Sequence, residues 1–123
     1  FPTVERIASL TVEDLAPIRA GFRAKYIIDA AQKIKSGEVK LEKLETMDIT
    51  DAREELMKIK GVGPKVAECV LLFSCKRLEA FPVDVWIKKV MLQLYPNGLP
   101  VCTKGIEGIA QQYLFDYARS IKL

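Results

Sequence analysis

Apolar positions recur along this chain at helical spacing, and short breaks rich in glycine, proline or charge separate the runs. Val4, Ile7, Ala8 and Leu10 predict a short first helix, with Thr3 after Pro2 in the capping position. Thr11, with Asp14 three residues later, predicts the start of a second helix that Pro17 and Gly21 limit. Phe22, Tyr26, Ala30 and Ile34 then mark an i, i+4 stripe, widened by Ile27 and Ala31, which Ser36 and Gly37 end. Residues 39–47 read as a short helix or turn with Leu41 and Leu44 facing inward. Thr50 is placed to cap the next helix, whose first turn carries Asp51, Glu54 and Glu55 in accord with the helix dipole.

The centre of the pattern is a pair of helices joined by Gly61-Val62-Gly63-Pro64-Lys65. Leu56, Met57 and Ile59 supply the apolar face before it, and Val66, Ala67, Val70, Leu71 and Ser74 the face after it. Two glycines let the backbone take positive φ and approach another molecule closely, and proline suits the first position of a helix. The turn therefore has two readings. It is a tight helix-helix connection, or it is an anion site whose amides meet a phosphate.

Past the second of these helices, residues 77–81 form a connection, and Pro82-Val83-Asp84 leads into a helix holding Val85, Trp86, Val90, Met91 and Leu94, with Asp84 at its N-cap. Residues 95–105 are a Pro/Gly-containing connection, and the last helix carries Ile109, Ala110, Tyr113, Leu114 and Tyr117 as its expected core. The expectation is all-α: one helical bundle built around the hairpin, with no sheet.

Composition narrows the chemistry. Half of the 123 residues are apolar, enough for one compact domain, and the net charge of +3 permits a nucleic-acid partner without requiring one. There is no histidine, which removes His-based triads, His general bases and most zinc sites, so any chemistry falls to Lys, Asp, Glu, Cys or Tyr. Cys69, Cys75 and Cys102 are an odd set with no CxxC pair, against a disulfide framework or a structural zinc. No apolar run reaches membrane-spanning length and no signal-peptide pattern is present, so a soluble, intracellular monomer is expected, with no membrane partner.

On the second hairpin helix Lys65, Cys69 and Phe73 fall at i, i+4 and i+8 and share one face, apart from the Val66/Val70 face. The plain reading makes Cys69 and Phe73 the rim of the core and Lys65 a solvated phosphate contact. Gln111 and Phe115 are likewise i, i+4, as in any amphipathic helix.

The hairpin resembles that of the helix-hairpin-helix DNA glycosylases, whose pattern runs L-x-x-[IL]-x-G-V-G-x-K-x-A and then, past a loop, P-V-D. Leu56, Ile59, Gly61, Gly63, Lys65, Ala67, Pro82, Val83 and Asp84 fit it. Residues 21–26, GFRAKY, and 108–115, GIAQQYLF, are similar to the 8-oxoguanine branch of that superfamily. The likeness runs end to end but covers only the C-terminal part of the family's longer chain. It implies an N-terminal sheet domain outside this sequence, a preference Phe1 in place of methionine also suits.

The resemblance implies a base-excision glycosylase with lyase activity that removes 8-oxoguanine from double-stranded DNA. Lys65 would attack C1′ of the damaged nucleotide, and Asp84, beyond capping, would stabilise the developing cationic sugar. Gln111 would read the flipped base's pairing edge, with Phe115 and the Cys69/Phe73 face on either side of its ring. Phe22 and Arg23 would lie at the DNA stack and the orphaned base, although an arginine at a helix start is equally a solvated one. Gly61, Val62 and Gly63 would anchor phosphate, and the carbonyls of Met57, Ile59 and Val62 would hold a metal cation.

No further cofactor is implied; the superfamily's iron-sulfur cluster needs four closely spaced cysteines that this chain lacks. The connection at residues 95–105 is shorter than in the family and leaves the match around Cys102 open. Two alternatives stand beside this reading: a glycosylase of the same superfamily with another lesion, and a noncatalytic hairpin that simply holds DNA.

Overall fold

The computed structural model describes residues 1–123 and contains helices, 3-10 turns and loops, with no strand. Six α-helices are present: α1 (Val4–Ala8), α2 (Ala24–Ser36), α3 (Ile49–Met57), α4 (Pro64–Ser74), α5 (Val85–Gln93) and α6 (Glu107–Ser120). None is long and apolar enough to cross a membrane. The chain divides into two compact units, Phe1–Gly63 and Pro64–Leu123, with the boundary inside the hairpin.

In the first unit Thr3 caps α1, its hydroxyl accepting the Arg6 N–H at 3.1 Å. Thr11 and Asp14 form a reciprocal box, Thr11 N–H to Asp14 Oδ2 at 2.9 Å and Asp14 N–H to Thr11 Oγ1 at 3.3 Å. What they start is a 3-10 turn, Glu13–Ile18, since Pro17 removes a donor that a longer helix would need. Leu15, Ala24 and Ile28 pack together with Leu10 and Ala20 beside them. Gly37, at φ 82°, ends α2 as the pattern predicts.

Several assignments need correction in this unit. The inward face of α2 is Ala24, Ile28 and Ala31, while Phe22 and Ile27 lie exposed and Tyr26 and Ile34 half-buried. Phe22 precedes α2 in the Gly21–Arg23 3-10 turn, off the helical register, and the small Ala24 and Ala31 allow closer packing than the larger stripe. Between Gly37 and α3, Leu44 is buried but Leu41 is exposed. At α3 the cap is Asp48, whose carboxylate accepts the Thr50 N–H at 3.1 Å, so Thr50 sits inside the helix. Both residue types cap, and the one nearer the start of the helix took the role.

The end of α3 is pinned to α2 by polar contacts. Asp29 accepts the Lys60 N–H at 2.7 Å and pairs with Lys33 at 3.0 Å, and Lys33 Nζ donates to the Lys58 carbonyl at 2.5 Å. Leu56 and Ile59 are buried as expected, whereas Met57 is exposed.

The second unit holds α4, α5 and α6. Ala67, Leu71 and Leu72 of α4, Ile87 and Val90 of α5, and Ala118 of α6 are buried. Val66, expected inside, is exposed, as are Val85 and Leu94 at the two ends of α5. On α6 the inward positions are Gly108, Gln111 and Ala118; Ile109, Tyr113 and Tyr117, expected as core, face out. Gly108 explains this phase. Its N–H donates to the Leu78 carbonyl at 2.7 Å, and a Cβ there would run into the Leu72 side chain and lie 2.5 Å from the Ala80 carbonyl.

Candidate active site

The second unit carries a cleft of about 260 Å³ lined by Lys65, Cys69, Phe73, Pro82, Asp84, Gln111, Gln112 and Phe115. Each wall has a local cause. Helix α4 projects Lys65, Cys69 and Phe73 at successive turns of one face, as the spacing predicts. Asp84 caps α5, its Oδ1 accepting the Ile87 N–H at 2.8 Å, which fixes the carboxylate at the cleft wall and leaves its second oxygen unspent. Helix α6 supplies Gln111 and Phe115 one turn apart.

Three participants escaped the sequence reading. Glu68, next to Cys69 in the chain, is buried, and its Oε2 accepts the Phe81 N–H at 2.7 Å, tying α4 to the loop that presents Pro82 and Asp84. The signal was a carboxylate set in an apolar helix, a position that only a fixed partner makes affordable. Pro82 contributes its carbonyl, which accepts a hydrogen bond from Gln111 Nε2 at 2.9 Å. Gln112 donates from Nε2 to Gln111 Oε1 at 2.6 Å.

Burial pushes the Cys69 thiol above its ordinary value; the Lys65 charge opposes that rise, and Asp84 and Glu68 add to it. The cleft thus presents a thiol and an aromatic ring on α4, an amide and a second ring on α6, and an amine and a carboxylate. The guanidinium of Arg119 lies 5.3 Å from the Phe115 ring centroid and supports that ring.

The remaining expected residues lie in the first unit. Gly61 takes φ 86°, and its Cα packs so closely on Tyr26 that a Cβ would come within 2.5 Å of the ring. Gly63 differs: its φ is not positive, and a Cβ there would meet nothing within 4 Å. Only one of the two glycines therefore serves the left-handed turn. Val62 donates its N–H to the Ile59 carbonyl at 3.1 Å, which closes the turn and uses that amide.

The carbonyls of Met57, Ile59 and Val62 are oxygen donors of the kind a hard cation takes, and that of Ile59, which accepts the Val62 N–H at 3.1 Å, keeps a second lone pair. Phe22 is exposed, and Arg23 stacks its guanidinium 4.8 Å from the Phe22 centroid. Phe22 meets Tyr26 edge to face at 6.0 Å.

The family model for HhH-GPD superfamily base excision DNA repair proteins matches residues 1–99. A probable N-glycosylase/DNA lyase of Methanothermobacter thermautotrophicus is 42% identical over 90 residues, covering 73% of this chain and 28% of that protein. A DNA-3-methyladenine glycosylase of Bacillus subtilis is 45% identical over 85 residues, 68% of this chain and 28% of its own length. Among solved structures, the Clostridium acetobutylicum 8-oxoguanine glycosylase/lyase in complex with double-stranded DNA holding cytosine opposite 8-oxoguanine matches with a TM-score of 0.84 and 41% identity. That match covers all of this chain and 46% of the other, so the chain spans about half of that protein and under a third of the curated relatives.

Proposed function

Since this chain belongs to the HhH-GPD superfamily of base excision DNA repair proteins, we propose that it acts in a DNA glycosylase with AP lyase activity that removes 8-oxoguanine from duplex DNA. The observation that carries this reading is the gathering of Lys65, Cys69, Asp84, Gln111 and Phe115 around one cleft.

Lys65 Nζ bonds to C1′ as the glycosidic bond breaks and the base leaves with the bonding pair. Loss of the amine protons and opening of the sugar ring give an imine, from which β-elimination breaks the strand 3′ of the site. Asp84 forms no bond; its negative charge favours the cationic sugar while its other oxygen holds the helix cap. The flipped base lies between Phe115 and the Cys69/Phe73 face, with Gln111 on its pairing edge. Cys69 offers a half-buried thiol to the ring, and its burial favours the neutral form.

The first unit supplies DNA contacts in this scheme. The turn at Gly61, Val62 and Gly63 meets phosphate through groups other than the Val62 amide, which is spent on Ile59, and so positions the duplex without reading it, while Arg23 with Phe22 meets the orphaned base. A cation held by the carbonyls of Met57, Ile59 and Val62 would add positive charge for that phosphate. The protein works where genomic DNA is, in nucleoid or nucleus.

Borohydride trapping on an oligonucleotide with a single 8-oxoguanine, beside undamaged duplex, tests the reading. A covalent adduct is expected on damaged DNA, and Lys65→Gln should abolish it while duplex binding persists. An adduct that survives in Lys65→Gln would assign the chemistry to another amine. The Bacillus subtilis relative named for 3-methyladenine favours a second reading, another lesion in the same cleft. Excision of 3-methyladenine in preference to 8-oxoguanine would select it.

A further inference from the structure

Gln111 is 4% exposed, and both ends of its amide are engaged. A side-chain amide offers two N–H donors on nitrogen and two lone pairs on oxygen. The Pro82 carbonyl can only accept, so the bond at 2.9 Å fixes the nitrogen of Gln111 on that side. The oxygen then faces the other way, where Gln112 Nε2 donates to it at 2.6 Å. One N–H and one lone pair remain for a ligand, in a fixed order across the cleft.

Gln112 reaches this position against the habit of its helix. Neighbours in sequence on an α-helix point apart and do not ordinarily meet. Gln112 is exposed, lines the cleft, and spends the freedom of a flexible side chain on a bond to the residue beside it.

We propose that Gln112 is a specificity-determining positioning residue: with the Pro82 carbonyl on the nitrogen side, it holds the Gln111 amide in one orientation from the oxygen side and so helps select which base edge the cleft accepts. This rests on the glycosylase reading above. An oxidised guanine presents an acceptor, O6, beside the N1–H and N2–H₂ donors, whereas an oxidised adenine presents the N6–H₂ donor beside the N1 acceptor. A locked amide meets one order with both bonds made and the other with like groups opposed. An amide free to turn serves both.

The test is single-turnover excision of 8-oxoguanine and of 8-oxoadenine from otherwise identical duplexes, each normalised to borohydride trapping at a preformed abasic site by the same variant. Gln112→Glu replaces the donor by a group that only accepts, so it opposes the Gln111 oxygen and competes with the Pro82 carbonyl for the Gln111 N–H, and the guanine-to-adenine ratio should fall about tenfold. Gln112→Ala should lower the ratio in the same direction. In a Gln111→Ala background, Gln112→Glu should change the ratio no further, because the residue acts through Gln111.

An unchanged ratio in Gln112→Glu, or an undiminished effect of that change in Gln111→Ala, would overturn the proposal while leaving the glycosylase reading intact. A wild-type protein that neither excises nor traps would overturn both.

Discussion

Asp84 has a local structural role and, in the proposed mechanism, a chemical one as well. Its Oδ1 accepts the Ile87 N–H at 2.8 Å, which accounts for an aspartate at this position without any reaction. Asp84→Asn keeps a capping oxygen but removes the charge, so excision should fall by about 10²- to 10³-fold, the scale of losing one electrostatic contact to a developing charge. Trapping at a preformed abasic aldehyde should fall far less, since no glycosidic bond remains to break; excision at the wild-type rate would leave Asp84 as a cap alone. Phe115 separates in a similar way. Its ring, backed by Arg119 at 5.3 Å, loses only base stacking in Phe115→Ala, so excision should slow about five- to 150-fold with lyase action on abasic DNA little changed. Equal losses on both substrates would mean that Phe115 supports the fold.

At the level of elements, the hairpin glycines divide their work. Gly61 stands at φ 86° against the Tyr26 ring, so Gly61→Val meets both backbone strain and a collision. Its melting temperature should drop by roughly 5 °C or more. Gly63 has ordinary φ and open space, so Gly63→Val should melt within about 2 °C of wild type. The new side chain would nonetheless project from the turn assigned to phosphate and weaken binding to damaged and undamaged duplex alike. Electrophoretic mobility shift on both duplexes checks this; loss confined to damaged DNA would move the turn into the base pocket. The elements also show why phase was the hardest thing to read. On α2 and α6 several faces are apolar, and the faces that turned inward carry the smaller residues Ala24, Ala31, Gly108 and Ala118. Helix spacing fixes which residues share a face, but close approach of backbones decides which face goes in.

For the molecule as a whole, response to acid should be set by the first unit. The Thr11 N–H holds Asp14 below its ordinary value near 3.8, and the Lys60 N–H, helped by Lys33, does the same for Asp29. Glu55 is lowered from near 4.5 by the Lys58 ammonium and the Lys40 N–H. A carboxylate whose folded value is depressed contributes its stability above the unfolded value and loses it as pH falls through the folded one. Melting temperature should therefore be flat in these groups above about pH 5 and decline as the solution passes below about pH 4. Asp29→Asn should shrink that decline and lower stability at neutral pH, because the amide no longer attracts Lys33. An acid profile identical to wild type would show that Asp29 carries none of it.

The sequence by itself determined the helical class, the hairpin, the caps at Thr3 and Asp84, the stop at Gly37, and the shared face of Lys65, Cys69 and Phe73. These depend on neighbours within a turn or two, where residue type and spacing fix geometry directly. It also paired Gln111 with Phe115, since both lie on one helix. Tertiary structure decided what spacing cannot contain. Gln111 is held by the carbonyl of Pro82, 29 positions away, and the Phe81 amide finds the Glu68 carboxylate across 13 positions. Such bonds exist only once a loop has been brought against a helix, so the partners of Glu68 and Gln111 could not be read beforehand. Phase followed the same rule: Gly108 faces inward because carbonyls of residues 78 and 80 lie where a side chain would stand. Local chemistry was legible because it is local, and the cleft's fine structure was decided by contacts that the folded chain alone creates.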